Sequence, residues 1–391
     1  MADTHSIMRF RRALPLSLSL TAALLTGCKA RPEPEFRIGL IGVFTGSQAN
    51  SSGIPARRGA TLAVATLNAA GGVRINGVMH RLVLLDRETE NRPDAAASVA
   101  RSLINLDSAD VIIGPQGSAL ALAAGAVAEA SAVPLVTPMS SSPQVTAGRR
   151  LVTRLAFLDA FQGEVLARFA YDSLGLRRAA SLFNAASPYG REITELFRKT
   201  FEALGGTVVG MESFDADDLC DRAPQIKRLA AAHPDVLLLP NFTARDSAQF
   251  HLSRSLGFKG RFLGTDAWDG LSLMRRDEVQ GVVLVANWDR RGERPALHVF
   301  RKGWDARFPG EVPRATAAAT YDAVLLLARS AERAKVRTGV ALMDSLRHAG
   351  RYEGAFGSYR FIGTGDPVRG AVLLEIAFDS TLLRAAIEPP Q

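Results

Sequence analysis

Ser118 opens a helix directly behind the apolar run VIIGP and the dipeptide Gln116-Gly117. A hydroxyl beside the free N–H groups of a helix start favours a carboxylate. Asp266 follows the run RFLGT, and it is the only carboxylate in the set of residues that trails the strand-like segments considered below. An isolated carboxylate favours an ammonium. One ligand with both charges is an α-amino acid. The same set holds Met139-Ser140-Ser141-Ser142 after PLVTP, Tyr189-Gly190 a few residues after SLFN, and Asn241-Phe242-Thr243 after VLLLP. Taken singly, Ser118 and Ser141 read equally well as helix caps, and Asp266 as a loop charge.

Motifs for other chemistries do not occur. Gly39, Gly42 and Gly46 do not make G-x-G-x-x-G, and there is no G-x-x-x-x-G-K-[ST] and no G-x-S-x-G. The six histidines are scattered without an i,i+4 pair, and the two cysteines, Cys28 and Cys220, exclude a disulfide framework or a thiolate cluster. Asp215, Asp217 and Asp218 lack the glycine and distal glutamate of a calcium loop and read as a solvated turn. No metal, no cofactor and no catalytic residue is expected. Cys220 reads as a small buried apolar residue.

The elements that must position these residues alternate along the chain. Strands are expected at 36–44, 80–88, 109–115 and 133–138, with helices at 59–72, 94–105 and 118–131. The pattern repeats with strands at 177–184, 207–214, 234–240, 260–266 and 281–288 and helices at 193–206, 223–232 and 246–257. Helices near 317–334 and 339–349 and a terminal strand pair at 359–362 and 371–377 complete the reading. Strands spaced by helices imply βαβ units and covered parallel sheets. The fold class is therefore α/β: two doubly wound, Rossmann-like lobes with a hinge near 154–163, one continuous sheet being the alternative. In such sheets ligands sit beyond the carboxyl ends of the strands, which is why the residues trailing each strand matter.

The chain has 391 residues, 47% hydrophobic and 22% charged, with 47 Lys plus Arg against 39 Asp plus Glu. That is the composition of a folded globular protein of two or three domains. The formal excess of +8 contains no run of five like charges, so nucleic acid is not an expected partner. At the N-terminus Arg9, Arg11 and Arg12 precede ALPLSLSLTAALL. This run is too short to span a bilayer, which needs about 20 helical residues, and fits the apolar core of a secretory signal. The run ends in Leu25-Thr26-Gly27-Cys28, which resembles a bacterial lipobox. Residues 1–27 are thus expected to be a lipoprotein signal peptide, starting at Met1 or Met8. Cys28 would be the lipidation site and residues 28–35 a proline-stiffened tether.

Several segments together resemble the leucine/isoleucine/valine-binding proteins, the type I periplasmic solute-binding family of ABC transporters. They are NAAGG after the first helix, IIGPQGS, VPLVTPMSSSPQVT, the SPYG turn and LGTDAW, and the resemblance runs from about Phe36 to Ala377. It implies a periplasmic-binding-protein type I fold with a multi-crossover hinge. Lobe one would comprise 36–157 plus 290–350, and lobe two 158–289 plus 355–388. By the same resemblance Ser118 bonds the ligand carboxylate, Ser141 holds the backbone end of the ligand, and Met139 offers its carbonyl to the ammonium. Tyr189 reaches in from the second lobe, Asp266 pairs with the ammonium, and Ser140 is a further candidate. Phe242 stands where Tyr is frequent, and Ser52 falls near a usually aromatic position; with Tyr189, Phe242 would give the side-group pocket an apolar lean.

The implied function is non-enzymatic: a lipid-anchored, exported, monomeric binding protein that delivers an amino acid or similar polar solute to ABC permease subunits. A ligand sensor on the same fold, or a binder of an amide or organic acid, is the alternative.

Overall fold

EFRIGLIG carries too many consecutive apolar residues to leave a face in water, and it forms the interior strand β1 (Glu35–Gly42), with parallel neighbours on both sides. The computed structural model describes residues 33–215, 222–241, 243–268, 277–378 and 380–388. After one π-helical turn at Ala49–Gly53, helix α1 spans Ile54–Ala69. It stops where Gly71 and Gly72 take φ of +98° and +92°, a region closed to most side chains. Then follow β2 (Val73–Ile75), β3 (Val78–Glu88), α2 (Pro93–Asn105), β4 (Val111–Ile113), α3 (Ser118–Ala130), β5 (Leu135–Thr137) and β6 (Val152–Arg154). The first sheet has the order β2-β3-β1-β4-β5-β6, parallel except for β2. Alternation serves both faces: Val111 and Ile113 join one core cluster and Ile112 the other.

The second unit repeats the plan. It contains α4 (Asp159–Arg168), β7 (Arg178–Asn184), α5 (Pro188–Ala203), β8 (Thr207–Phe214), α6 (Ala223–Ala231), β9 (Val236–Leu238), α7 (Thr243–Ser255), β10 (Arg261–Gly264) and β11 (Val283–Ala286). The chain then returns to the first unit as α8 (Pro295–Arg307), α9 (Ala315–Ala334) and α10 (Val340–Arg347). Helix α9 packs directly on α1: any side chain at Gly59 would strike the Ala317 carbonyl. Phe300, Trp304, Val324 and Leu327 fill the core under β1.

The ending differs from the sequence expectation. Strands β12 (Gly350–Glu353) and β13 (Ser358–Phe361) pair with each other, while β14 (Ala371–Ala377) pairs antiparallel with β11 and with β15 (Ser380–Ile387). The segments near 359–362 and 371–377 are therefore not a strand pair. The reason is burial: Tyr352, Tyr359 and Phe361 pack into the core of the first unit, whereas Leu373 and Ile376 extend the second. The second sheet has the order β15-β14-β11-β10-β9-β7-β8, so among the described residues there are two large sheets and not one continuous sheet, beside the two-stranded β12–β13 pair.

The chain crosses between units after β6, after β11 and after β13. Arg369, buried on the third crossing, donates to the Leu155 carbonyl at 2.7 Å on the first and to the Asn287 carbonyl at 2.5 Å on the second. Its guanidinium also lies over the rings of Phe356 and Tyr359, 4.5 and 5.1 Å from their centroids. Among the described residues no helix is long and apolar enough to cross a membrane.

Candidate functional site

The carboxyl ends of both sheets lead to one cavity of about 90 Å³. After β4 the chain turns at Gly114, whose φ is +87° and whose missing side chain leaves room for the Ile41 carbonyl. Gly117 remains extended and Ser118 begins α3 without a side-chain cap, so the first-turn N–H groups have no capping acceptor. Ser118 Oγ accepts from the Ser142 amide at 3.3 Å, which leaves its own O–H proton for a ligand.

The loop after β5 is fixed from beneath. Ser140 Oγ lies 2.7 Å from Thr137 Oγ1 and donates to the Gln116 carbonyl at 3.0 Å. Buried Arg154 donates to the carbonyls of Ser140 at 2.8 Å and Ser142 at 2.7 Å, and is itself held by Asp366 at 2.5 Å. These bonds hold Ser141 and Met139 at the cavity wall.

From the second unit, Ser187 caps α5 by accepting from the Gly190 amide and so sets Tyr189 in the first turn. The Tyr189 hydroxyl donates to Asp266 Oδ1 at 2.7 Å, and Asn287 Nδ2 donates to Oδ2 at 2.6 Å. The Asp266 amide donates to Gln162 Oε1 at 2.8 Å. Burial pushes the Asp266 carboxyl up to about 6, against the lowering effect of its hydrogen bonds to Tyr189, Gln162 and Asn287 and of the Arg369 charge. Asp159, the first residue of α4, is wholly buried nearby. Burial raises its carboxyl well above the usual range, the Ser141 hydroxyl opposes this, and the Asp266 charge adds to the rise. Beside the cavity the units touch where Glu192 Oε1 accepts from Ser142 Oγ at 3.1 Å and from Gln144 Nε2 at 3.2 Å.

Of the residues singled out in the sequence, Ser52, Ser118, Met139, Ser141, Tyr189 and Asp266 all line this cavity. Ser140 does not; its hydroxyl is turned to the backbone of the β4 loop. Phe242, Cys28, Cys220, Asp217 and Asp218 lie outside the described residues. Sequence reasoning missed Gln48, Ser51, Gln116 and Thr316 in the wall, and Gln162 and Asn287 behind Asp266. Asn287 directly follows β11, so the rule that found Asp266 would also have found it. Thr316 had no such signal, because it enters from the start of α9. Among the described residues no group of three or more His, Cys, Asp or Glu is placed to hold a metal ion.

Two mostly parallel sheets facing one cavity, joined by three crossings, define a two-lobed binding protein of the periplasmic-binding-protein type I fold. The sequence profile of the periplasmic binding protein family matches residues 35–380, and the chain belongs to that family. It is 24% identical over 360 residues to the Leu/Ile/Val-binding protein homolog 3 of Brucella melitensis biotype 1, covering 90% of this chain and 94% of the relative. A crystal structure of a leucine-binding protein from Thermotoga maritima superposes with a TM-score of 0.81 at 26% identity, over 90% of this chain and 99% of that one. A solute-binding protein of an ABC transporter from R. palustris, in complex with benzoate, has the same fold, with a TM-score of 0.80 at 20% identity over 91% and 97% of the two chains.

Proposed function

We propose that this protein captures an α-amino acid between its lobes and delivers it to the permease subunits of an ABC importer. The observation that carries the reading is the placement of charge. Among the described residues Asp266 is the one charged residue in the cavity wall, and Ser118 at the uncapped start of α3 lines the same cavity. In the proposed pose, Ser118, Ser141 and the first N–H groups of α3 hold the carboxylate. Asp266 and the Met139 carbonyl hold the ammonium. A buried ammonium without a compensating charge would cost several kcal/mol. Relatives bearing leucine- or Leu/Ile/Val-binding names support the same ligand class.

A thermal-shift screen of amino acids against their deaminated acids and amides tests this. Amino acids are expected to stabilise the protein, and equal stabilisation by a deaminated acid would remove the pairing with Asp266. The benzoate complex of the R. palustris protein motivates that second reading, an organic-acid ligand facing a protonated Asp266.

Capture works by closure about the crossings, with the Leu158-Asp159 stretch among the hinges. One rigid lobe is built on the first sheet with the β12–β13 hairpin, and the other on the second sheet. Small-angle scattering should give a smaller radius of gyration with saturating ligand. The binding protein is a monomer that faces the periplasm or the cell exterior, held to the membrane by lipid on Cys28. Fatty-acid labelling should mark the protein and be lost in Cys28→Ser.

A further inference from the structure

The two walls of the cavity are unlike, and the first-lobe wall carries information about the ligand's side group. Gln48, Ser51 and Ser52 come from the segment between β1 and α1, Gln116 from the β4 loop and Thr316 from the start of α9. All five bear neutral hydrogen-bonding groups. Gln116 is about nine-tenths buried, and neither its amide nitrogen nor its amide oxygen has a partner among the described residues. A buried amide left unpaired is unfavourable by a sizeable margin, and its terminal torsion turns over a broad range at little cost.

Among the described residues, apolar side-chain area in the cavity comes from Met139, Ala267, Ala315 and the Tyr189 ring, and no Leu, Ile or Val lines it. Among the described residues no Lys, Arg or His lines it either, so an acidic side group would find no counter-charge there. Asp266 is engaged by the ammonium in the pose above, and among the described residues no second carboxylate lines the wall to meet a basic side group.

We propose that the first-lobe wall, through Gln116 with Gln48, Ser52 and Thr316, selects an amino acid with an uncharged hydroxyl or carboxamide side group over the branched aliphatic ones. It differs from the apolar preference expected from Tyr189 and Phe242, of which Phe242 lies outside the described residues, and it rests on the amino-acid reading of Asp266 and Ser118. A leucine side chain would cover these groups without returning a hydrogen bond. Sites built around such bonds reject analogues that lack them far more strongly than apolar pockets reject a missing methylene.

Titration calorimetry of the purified chain with serine, threonine, asparagine, glutamine, leucine, isoleucine, valine, aspartate and lysine tests the proposal. At least one of the first four should bind tenfold or more tighter than each of the other five. Gln116→Leu should reduce that ratio at least tenfold while leaving the melting temperature unchanged or higher, since it removes an unpaired buried amide. Thr316→Val, nearly isosteric, should reduce it less. Leucine, isoleucine or valine binding as tightly as the polar set overturns the side-group assignment and leaves the amino-acid reading standing. Binding of deaminated acids with no binding of any amino acid overturns both. An unchanged ratio in folded Gln116→Leu and Thr316→Val also overturns the assignment to this wall.

Discussion

Two aspartates in this protein share a chemistry and differ in what it leaves over. Asp322, in α9, accepts from the amides of Ala355 and Phe356, both at 2.9 Å, and from the Tyr359 hydroxyl at 3.2 Å. Asp266 accepts from the Tyr189 hydroxyl and from Asn287, and it lines the cavity. Burial raises both, Asp322 to about 7 and Asp266 to about 6, and the Arg369 charge opposes the rise in each case. Asp322 is enclosed, and its donors come from the β12–β13 hairpin that it clips to α9. Asp266 has protein donors on both oxygens and still faces open space. Enclosure makes one a structural clip; the cavity makes the other a candidate ligand contact.

Arg369 is common to both, and its removal should have the largest effect. Arg369→Ala takes away a buried charge that satisfies two crossover carbonyls, and should cost about 3–5 kcal/mol of stability. Urea denaturation measures it; a midpoint near wild type would mean the crossings are held elsewhere. Asp322→Ala leaves two amides and a hydroxyl unpaired under the hairpin and should cost about 3 kcal/mol or more, with ligand affinity of the folded fraction unchanged. An affinity loss there would erase the distinction between clip and contact.

Asp266→Ala should do the reverse. Affinity for an amino acid falls by about 2–5 kcal/mol, some 30- to several-thousand-fold, while the denaturation midpoint moves little. Ser118→Ala removes one donor to a charged group and should cost about 1–3 kcal/mol of binding by calorimetry.

The smallest effect is in pH. A carboxyl raised in the folded state binds its proton more tightly there than in the unfolded chain. Its contribution therefore favours folding at low pH and is lost as pH rises, between about 4 and 6 for Asp266 and about 4 and 7 for Asp322. An ammonium ligand requires ionised Asp266, so affinity should fall up to tenfold per unit below about pH 6. Affinity rising through the same acid range would favour the organic-acid reading.

Local pattern explains which parts were legible. Short apolar runs such as VII at 111–113 and VLL at 236–238 are fully buried parallel strands, and their hydrophobicity alone marks them. VTR at 152–154 escaped notice because its third residue is Arg154, buried only through its bonds to Ser140, Ser142 and Asp366. Helix α8 escaped although Leu297, Phe300 and Trp304 fall on one helical face. The signal was present and was masked by interleaved Arg, Lys and His.

By itself the sequence determined the alternation of strand and helix, hence doubly wound α/β architecture, and the polar residues that trail each strand. Period and length are local properties, read without knowing what packs on what. Only the tertiary structure decided that the Tyr359–Phe361 segment pairs with Gly350–Glu353 in the first unit while Ala371–Ala377 closes the second sheet. It alone brought Thr316 and Gln116 to one cavity and left Ser140 behind the wall. Both outcomes depend on contacts between residues far apart in the chain, and no spacing within one segment encodes them. The same holds for Asp266 and Asp322: they are one residue type, and only the surrounding donors and the adjoining cavity give them different roles.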